Sequence, residues 1–143
     1  GERAFSACES LTSVNISDSV TTIERHAFSF CYSLTSVTIG DSVTTIGEYA
    51  FWDCTSLTSV TIDNSVTTIG GGAFLACNSL TSVYCKATTP PVLGYSNVFY
   101  DNGSGRKIYV PAGSVNAYKS AEYWSEYADA IVGYDFENGV VVE

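Results

Sequence analysis

Basic residues are scarce in this chain. Of 143 residues only six are Lys or Arg, against fifteen Asp or Glu, giving a formal charge of −9 and a pI near 4.3. Such a field repels phosphate backbones and anionic membranes, so no nucleic-acid partner is expected. A membrane-spanning helix needs about 20 consecutive apolar residues. No run of that length occurs, and no basic-then-apolar leader opens the chain. No C-x-x-C pair is present to frame a zinc ion. No G-x-x-x-x-G-K stretch is present to cradle a phosphate, so Gly70-Gly71-Gly72 and Gly103-Ser104-Gly105 read as turns. Histidine occurs once, and no Ser-His-Asp order or nucleophile elbow accompanies it. After Lys119 come Glu122, Glu126, Asp129, Asp135, Glu137 and Glu143 with no further base, which reads as a solvated acidic face.

What the chain has in abundance is repetition. Ala4-Phe5, Ala27-Phe28, Ala50-Phe51 and Ala73-Phe74 recur at a constant step of 23. Cys8, Cys31, Cys54 and Cys77 keep that step, as do Leu11, Leu34, Leu57 and Leu80, and then Val14, Val37, Val60 and Val83. Residues 24–46 and 47–69 match at 15 of 23 positions without a gap. A fixed period of this size is the signature of a solenoid and overrides local propensity.

Within the unit, Leu34-x-x-Val37-x-Ile39 has the L-x-x-L-x-L form of a leucine-rich repeat. Val37 and Ile39 alternate with Ser36 and Thr38, as a half-buried strand requires. Phe28, Cys31 and Leu34 step by three, which predicts a tight helical or 3₁₀ turn before that strand. Gly40-Asp41 and Asn64 supply turn chemistry, and Val43 and Ile46 return a second short segment to the core. One unit cannot cover its own apolar face, so each coil is stable only against its neighbours.

The fold expected is therefore a mainly β solenoid: a leucine-rich repeat right-handed superhelix of about five 23-residue coils with a C-terminal helical cap. Residues 1–111 form the solenoid, four regular repeats and a degenerate fifth coil traced through Phe99, Ile108 and Val110. Residues 112–143 form cap and tail. In the fifth coil Asn102 stands for the cysteine and Gly105 for the leucine, and Pro90-Pro91 replaces the Ser-Val-Thr-Thr turn. After Pro111, residues 113–134 read as helical, with Ser114 as N-cap and Val115, Tyr118 and Ala121 on one face. Trp124, Tyr127 and Ile131 are expected to close the open end. Gly1-Glu2 aligns with Gly47-Glu48, so the chain begins in mid-repeat and further repeats are expected upstream.

The phrase AFxxCxSLTSVTI-x-x-SVTTIG closely resembles the BspA-like, or Treponema-type, leucine-rich repeats of bacterial surface proteins. The resemblance is strong over residues 1–85 and looser to about 134. It implies a secreted or surface-attached bacterial protein that binds other macromolecules, in some members host proteins. The family carries no common catalytic residues, and none is assigned here.

The candidate chemistry is correspondingly thin. Cys8, Cys31, Cys54 and Cys77 read as a reduced structural ladder, since equivalent side chains point in parallel and each sits between a core Phe and a core Leu. Cys77 with Cys85 is the pair whose phase differs. His26 alternates with Arg3, Tyr49 and Gly72, which marks an exposed, unconstrained position. Asp18 and Asp41 stack with Asn64 next, open to calcium or to simple Asx turns. On the outward strand face Tyr84 and Tyr109, flanked by Lys86 and Lys107, form an aromatic and basic corner on an acidic protein. Phe30, Tyr32, Tyr49 and Trp52 form a second aromatic edge. These eight residues are the candidate binding set.

The reading is a noncatalytic, monomeric module with no cofactor, binding a protein or glycan, a host matrix protein among them, outside the cell. Two alternatives remain open: a structural stalk displaying another domain, and an ice-binding solenoid built on the Thr21-Thr22, Thr44-Thr45 and Thr67-Thr68 columns.

Overall fold

The computed structural model describes residues 1–142; Glu143, the last of the acidic run, lies outside them. Eleven strands, one short α-helix and three 3₁₀ segments are present among the described residues: β1 (Ser13–Asn15), β2 (Thr22–Ile23), β3 (Ser36–Ile39), β4 (Thr45–Ile46), β5 (Ser59–Ile62), β6 (Thr68–Ile69), β7 (Ser82–Cys85), β8 (Val92–Leu93), β9 (Lys107–Pro111), α1 (Val115–Ser120), β10 (Ile131–Asp135) and β11 (Val140–Val141). The odd strands up to β9 build a long parallel sheet, extended by β10 and ended by antiparallel β11. The even strands β2, β4, β6 and β8 build a second parallel sheet. Register follows the period: Ser36, Val37, Thr38 and Ile39 sit opposite Ser59, Val60, Thr61 and Ile62.

A third face links the two sheets. Its turn segments donate alternate backbone N–H groups to the next coil, as in His26 to Glu48, Phe28 to Ala50 and Phe30 to Trp52. The expected tight turn is present in its i→i+3 bonds, such as Ser29 to His26 and Leu34 to Cys31. It does not propagate as a helix, because His26 and Phe30 adopt left-handed φ of 57° and 62°. The same happens at Arg3, Ala7, Tyr49, Asp53 and Ala76. Each such residue costs about 1–2 kcal/mol, which the inter-coil hydrogen bonds offset.

The core is a set of columns. Phe28, Phe51, Phe74 and Phe99 stack in near-parallel sequence with centroids 5.2, 5.2 and 5.8 Å apart, and exposed Phe5 continues the column at 5.2 Å from Phe28. Leu34, Leu57 and Leu80, and Ile39, Ile62 and Cys85, are fully buried beside them. The cysteines do more than fill space. The Sγ–H groups of Cys31, Cys54 and Cys77 donate to the carbonyl oxygens of Phe5, Phe28 and Phe51 in the preceding coil, at 3.0–3.2 Å. All five cysteines are free thiols, so Cys77 and Cys85 do not pair. Threonine serves the coil edges in the same way: Thr35 and Thr58 Oγ1 donate to Thr12 and Thr35, and Thr44 and Thr67 Oγ1 to Thr21 and Thr44.

The C-terminal segment departs from expectation. The helix stops at Ser120, Tyr123 takes a left-handed φ of 65°, and residues Trp124–Ala130 form 3₁₀ turns. Ser114 does not cap; its hydroxyl donates to Thr88 O at 2.7 Å. Residues 131–135, read as helical up to 134, form β10, because the exposed edge of β9 offers unpaired backbone groups and Ile131-Val132-Gly133 alternates in and out. Trp124, Tyr127 and Ile131 are buried against the last coil. Trp124 Nε1–H donates to Pro91 O at 2.8 Å.

Candidate functional site

Parallel register places every outward residue of the long sheet beside its equivalent. On the first three rungs these are Ser13 and Asn15, Ser36 and Thr38, Ser59 and Thr61. On the next two the same column becomes Tyr84 and Tyr109, which stack at 4.8 Å with planes 16° apart. Tyr134, on β10, leans against both at 5.3 Å, and Phe136 packs on Tyr134 at 4.9 Å. Tyr84, Lys86, Thr61, Tyr134, Phe136 and Gly139 line a shallow cleft at the edge of this terrace. Lys107 stands apart from the cleft, exposed and opposite Ser82 at the other end of the strand pair.

Neither lysine is neutralised by an acidic neighbour. Among the described residues the ion pairs are Gly1 with Glu24 and Arg3 with Glu2, so neither Lys86 nor Lys107 is in one. Asp135, the acid between Tyr134 and Phe136, is tied into its own turn. Its carboxylate accepts the Asn138 side-chain amide and the N–H groups of Asn138 and Glu137, and these bonds hold its pKa below the usual value. The terrace thus offers aromatic faces and ammonium groups within a molecule of net charge −9.

Sequence reasoning found Tyr84 and Tyr109 and missed Tyr134 and Phe136. A signal existed: Ile131 follows Ile108, and Val132 follows Tyr109, by the same step that separates the repeats, so the period returns after the tail helix.

The second candidate group lies on the turn face of coils two and three. Phe30 meets Trp52 at 4.8 Å, Trp52 meets Tyr49 at 5.3 Å, and Tyr32 lies 6.4 Å from Phe30. His26 joins this group, stacked on Tyr49 at 5.3 Å and 5.8 Å from Trp52. The expectation that His26 is exposed is therefore wrong: it is 5% exposed, and burial, then Arg3 and Arg25, push its pKa down. The Tyr49 and Trp52 rings of the next coil cover it. Phe30, Tyr49 and Trp52 are half-buried by this packing, and only Tyr32 of the four is exposed.

Among the described residues no three His, Cys, Asp or Glu side chains converge as a metal group. The turns at these levels are held by local bonds: Ser17 Oγ accepts Ser19 N–H beside Asp18, and Asp63 Oδ1 accepts the Asn64 N–H. No helix among the described residues is long and apolar enough to cross a membrane.

Parallel sheets stacked in register at the repeat step, with the L-x-x-V-x-I strand on one face, define a leucine-rich repeat solenoid. The chain belongs to the BspA type leucine rich repeat family, whose repeats match residues 1–121 in six copies. Among solved structures it is similar to a leucine-rich repeat protein from Bacteroides ovatus ATCC 8483, with 26% identity and a TM-score of 0.55 over 70% of this chain and 30% of that one. It is also similar to a leucine rich cell surface protein from Faecalibacterium prausnitzii A2-165, with 24% identity and a TM-score of 0.46 over 80% of this chain and 34% of that one. The chain thus spans about a third of the length of each. The comparison with curated proteins finds no match.

Proposed function

We propose that this chain is a noncatalytic binding module of a secreted or surface-displayed bacterial protein, and that it engages a protein partner, such as a host matrix protein, through the Tyr84–Tyr109–Tyr134 terrace. The observation that carries this is the change in the outward column from Ser and Thr to a cluster of four aromatic rings, with Lys86 at its edge and Lys107 farther along the same sheet face. Rigid amphipathic rings lose little entropy on docking and dominate interface energetics. The lysines steer acidic partner surfaces towards this one region of an acidic molecule.

The test is binding to a panel of immobilised matrix proteins. Tyr84→Ala combined with Tyr109→Ala is expected to weaken the interaction at least about a hundredfold, the loss typical of two interface anchors. Unchanged binding by this variant removes the terrace from the account.

The regular rungs support a complementary reading as spacer. Their outward positions are small and polar and offer little anchoring energy. Removal of one whole unit, residues 24–46, is expected to keep terrace binding intact while shortening the molecule.

A further inference from the structure

A second cleft lies across coils three to five, on the side where the small sheet gives way to the turn face. Gly70, Gly71 and Gly94 line it together with Tyr49 and Tyr95, and Glu48, Thr68 and Asn97 complete the lining. Two of these glycines answer to packing alone, since a Cβ at Gly70 or Gly94 would come within 2.4 or 2.7 Å of backbone in the neighbouring coil. Gly71 is different. It replaces Glu48 and Arg25 of the preceding coils, its φ is ordinary, and a Cβ there would first meet Tyr95, at 3.3 Å. A side chain at 71 would enter the cleft.

The chain opens this cleft by breaking its own period. A regular step would set Ile69 against position 92 and Phe74 against position 97; instead Ile69 pairs with Leu93, and Phe74 stacks on Phe99. One insertion therefore precedes Leu93, and a second sits between Leu93 and Phe99. In the regular coils the backbone bond at this level runs from His26 to Glu48 and from Tyr49 to Gly71. In the next coil the second insertion displaces the carbonyl, and the Asn97 side chain takes its place: Oδ1 accepts the Gly72 N–H at 2.8 Å. The ladder is kept, and Tyr95 is pushed out to 58% exposure against Tyr123.

A pyranose ring presents an apolar C–H face and a rim of hydroxyls, and its sites pair aromatic faces with a few fixed polar groups in a concave floor. The cleft supplies those parts. Tyr95 offers a ring, Gly71 leaves room for a ligand against the backbone, Thr68 can donate or accept, and the Asn97 amino group remains a donor once its carbonyl is used. Glu48, exposed and outside any ion pair of the described residues, accepts hydroxyl protons and repels anionic sugars, as does the net charge of −9. We propose that this cleft binds one ring of a neutral saccharide, at a site separate from the Tyr84 terrace.

The test is an amide-resolved NMR titration of the full chain with methyl α-mannoside, methyl β-galactoside and diacetylchitobiose, with sialyllactose as the anionic control. At least one neutral sugar is expected to shift the amides of Gly71, Gly94 and Tyr95, and sialyllactose is expected not to. Tyr95→Ala, at an exposed position that leaves the fold intact, is expected to weaken that binding about tenfold, the scale of one aromatic contact. Gly71→Leu is expected to abolish it while the amide spectrum elsewhere, including the Tyr84 terrace, stays unchanged. No shift with any neutral sugar, equal shifts with sialyllactose, or binding that survives both substitutions overturns the proposal. The matrix-protein assay on Tyr84 and Tyr109 is unaffected by any of these outcomes.

Discussion

The regular coils and the terminal coil solve one problem with different residues. From coil one to coil three a Phe carbonyl turned into the core is met by a cysteine thiol, in the pairs Phe5–Cys31, Phe28–Cys54 and Phe51–Cys77. At Phe74 the donor is Asn102 Nδ2, at 2.9 Å, and at Phe99 it is the Arg106 guanidinium, at 2.6 Å. Arg106 also donates to Asn102 Oδ1 and lies over the Tyr127 ring at 5.0 Å. A thiol suffices where both sides of a coil are covered by identical neighbours. Where the period lapses, larger and more polar donors reach those carbonyls. Cys85 belongs to that end as well: its thiol donates to Tyr118 Oη, whose own proton goes to Ala87 O at 2.5 Å, and burial raises the Cys85 pKa to about 11.

The largest effect is expected at the cap. Trp124→Ala removes a fully buried ring that packs on Phe99 and Tyr118, and it is expected to cost about 3–5 kcal/mol in denaturant unfolding. If the terminal coil were dispensable to the regular ones, the loss would appear as a separate early transition, not as a lower common midpoint.

Next in size are the carbonyl donors. Cys54→Ala and Asn102→Ala each orphan an inward Phe carbonyl, and each is expected to cost about 1–3 kcal/mol. Equal losses would show that thiol and amide do the same job. A Cys54 loss no larger than the volume change implies would reduce the cysteine to packing.

Stability should also depend on pH through His26. Its folded pKa is depressed, so the unfolded chain binds the proton first as pH falls below about 6.5. The unfolding midpoint is expected to drop as pH falls from there towards the folded pKa, in a setting that includes Arg3, Arg25, Glu2 and Glu48. His26→Phe should flatten that limb. A slope identical to the parent would mean that the histidine titrates freely. The smallest effect is expected for Thr44→Val, about 0.5–1 kcal/mol, because its hydroxyl bond to Thr21 O lies at an exposed edge.

Much of the fold is legible in the residues because a period repeats its evidence. Leu, Val and Ile columns fix the inward face of every coil, and the registers Val37–Val60 and Ile46–Ile69 follow from the constant step without further information. The candidate site is only half legible. Tyr84 and Tyr109 stand out as departures within the repeat, but Tyr134 reaches them through a strand that helical periodicity concealed. His26 misleads for a related reason: its burial comes from Tyr49 and Trp52 one coil away, which no single unit contains.

The repeat, its strand, its core columns and the family they define are written into the chain, because each unit carries the same local and nearest-neighbour instructions. What happens where those instructions lapse is settled in three dimensions. There Asn97, Asn102 and Arg106 stand in for missing backbone and thiol partners, and residues 131–135 fold onto an open sheet edge. The physical reason is common to all of these. An unpaired buried carbonyl or an open strand edge must be satisfied, and the group that satisfies it is chosen by proximity in space, not by position along the chain.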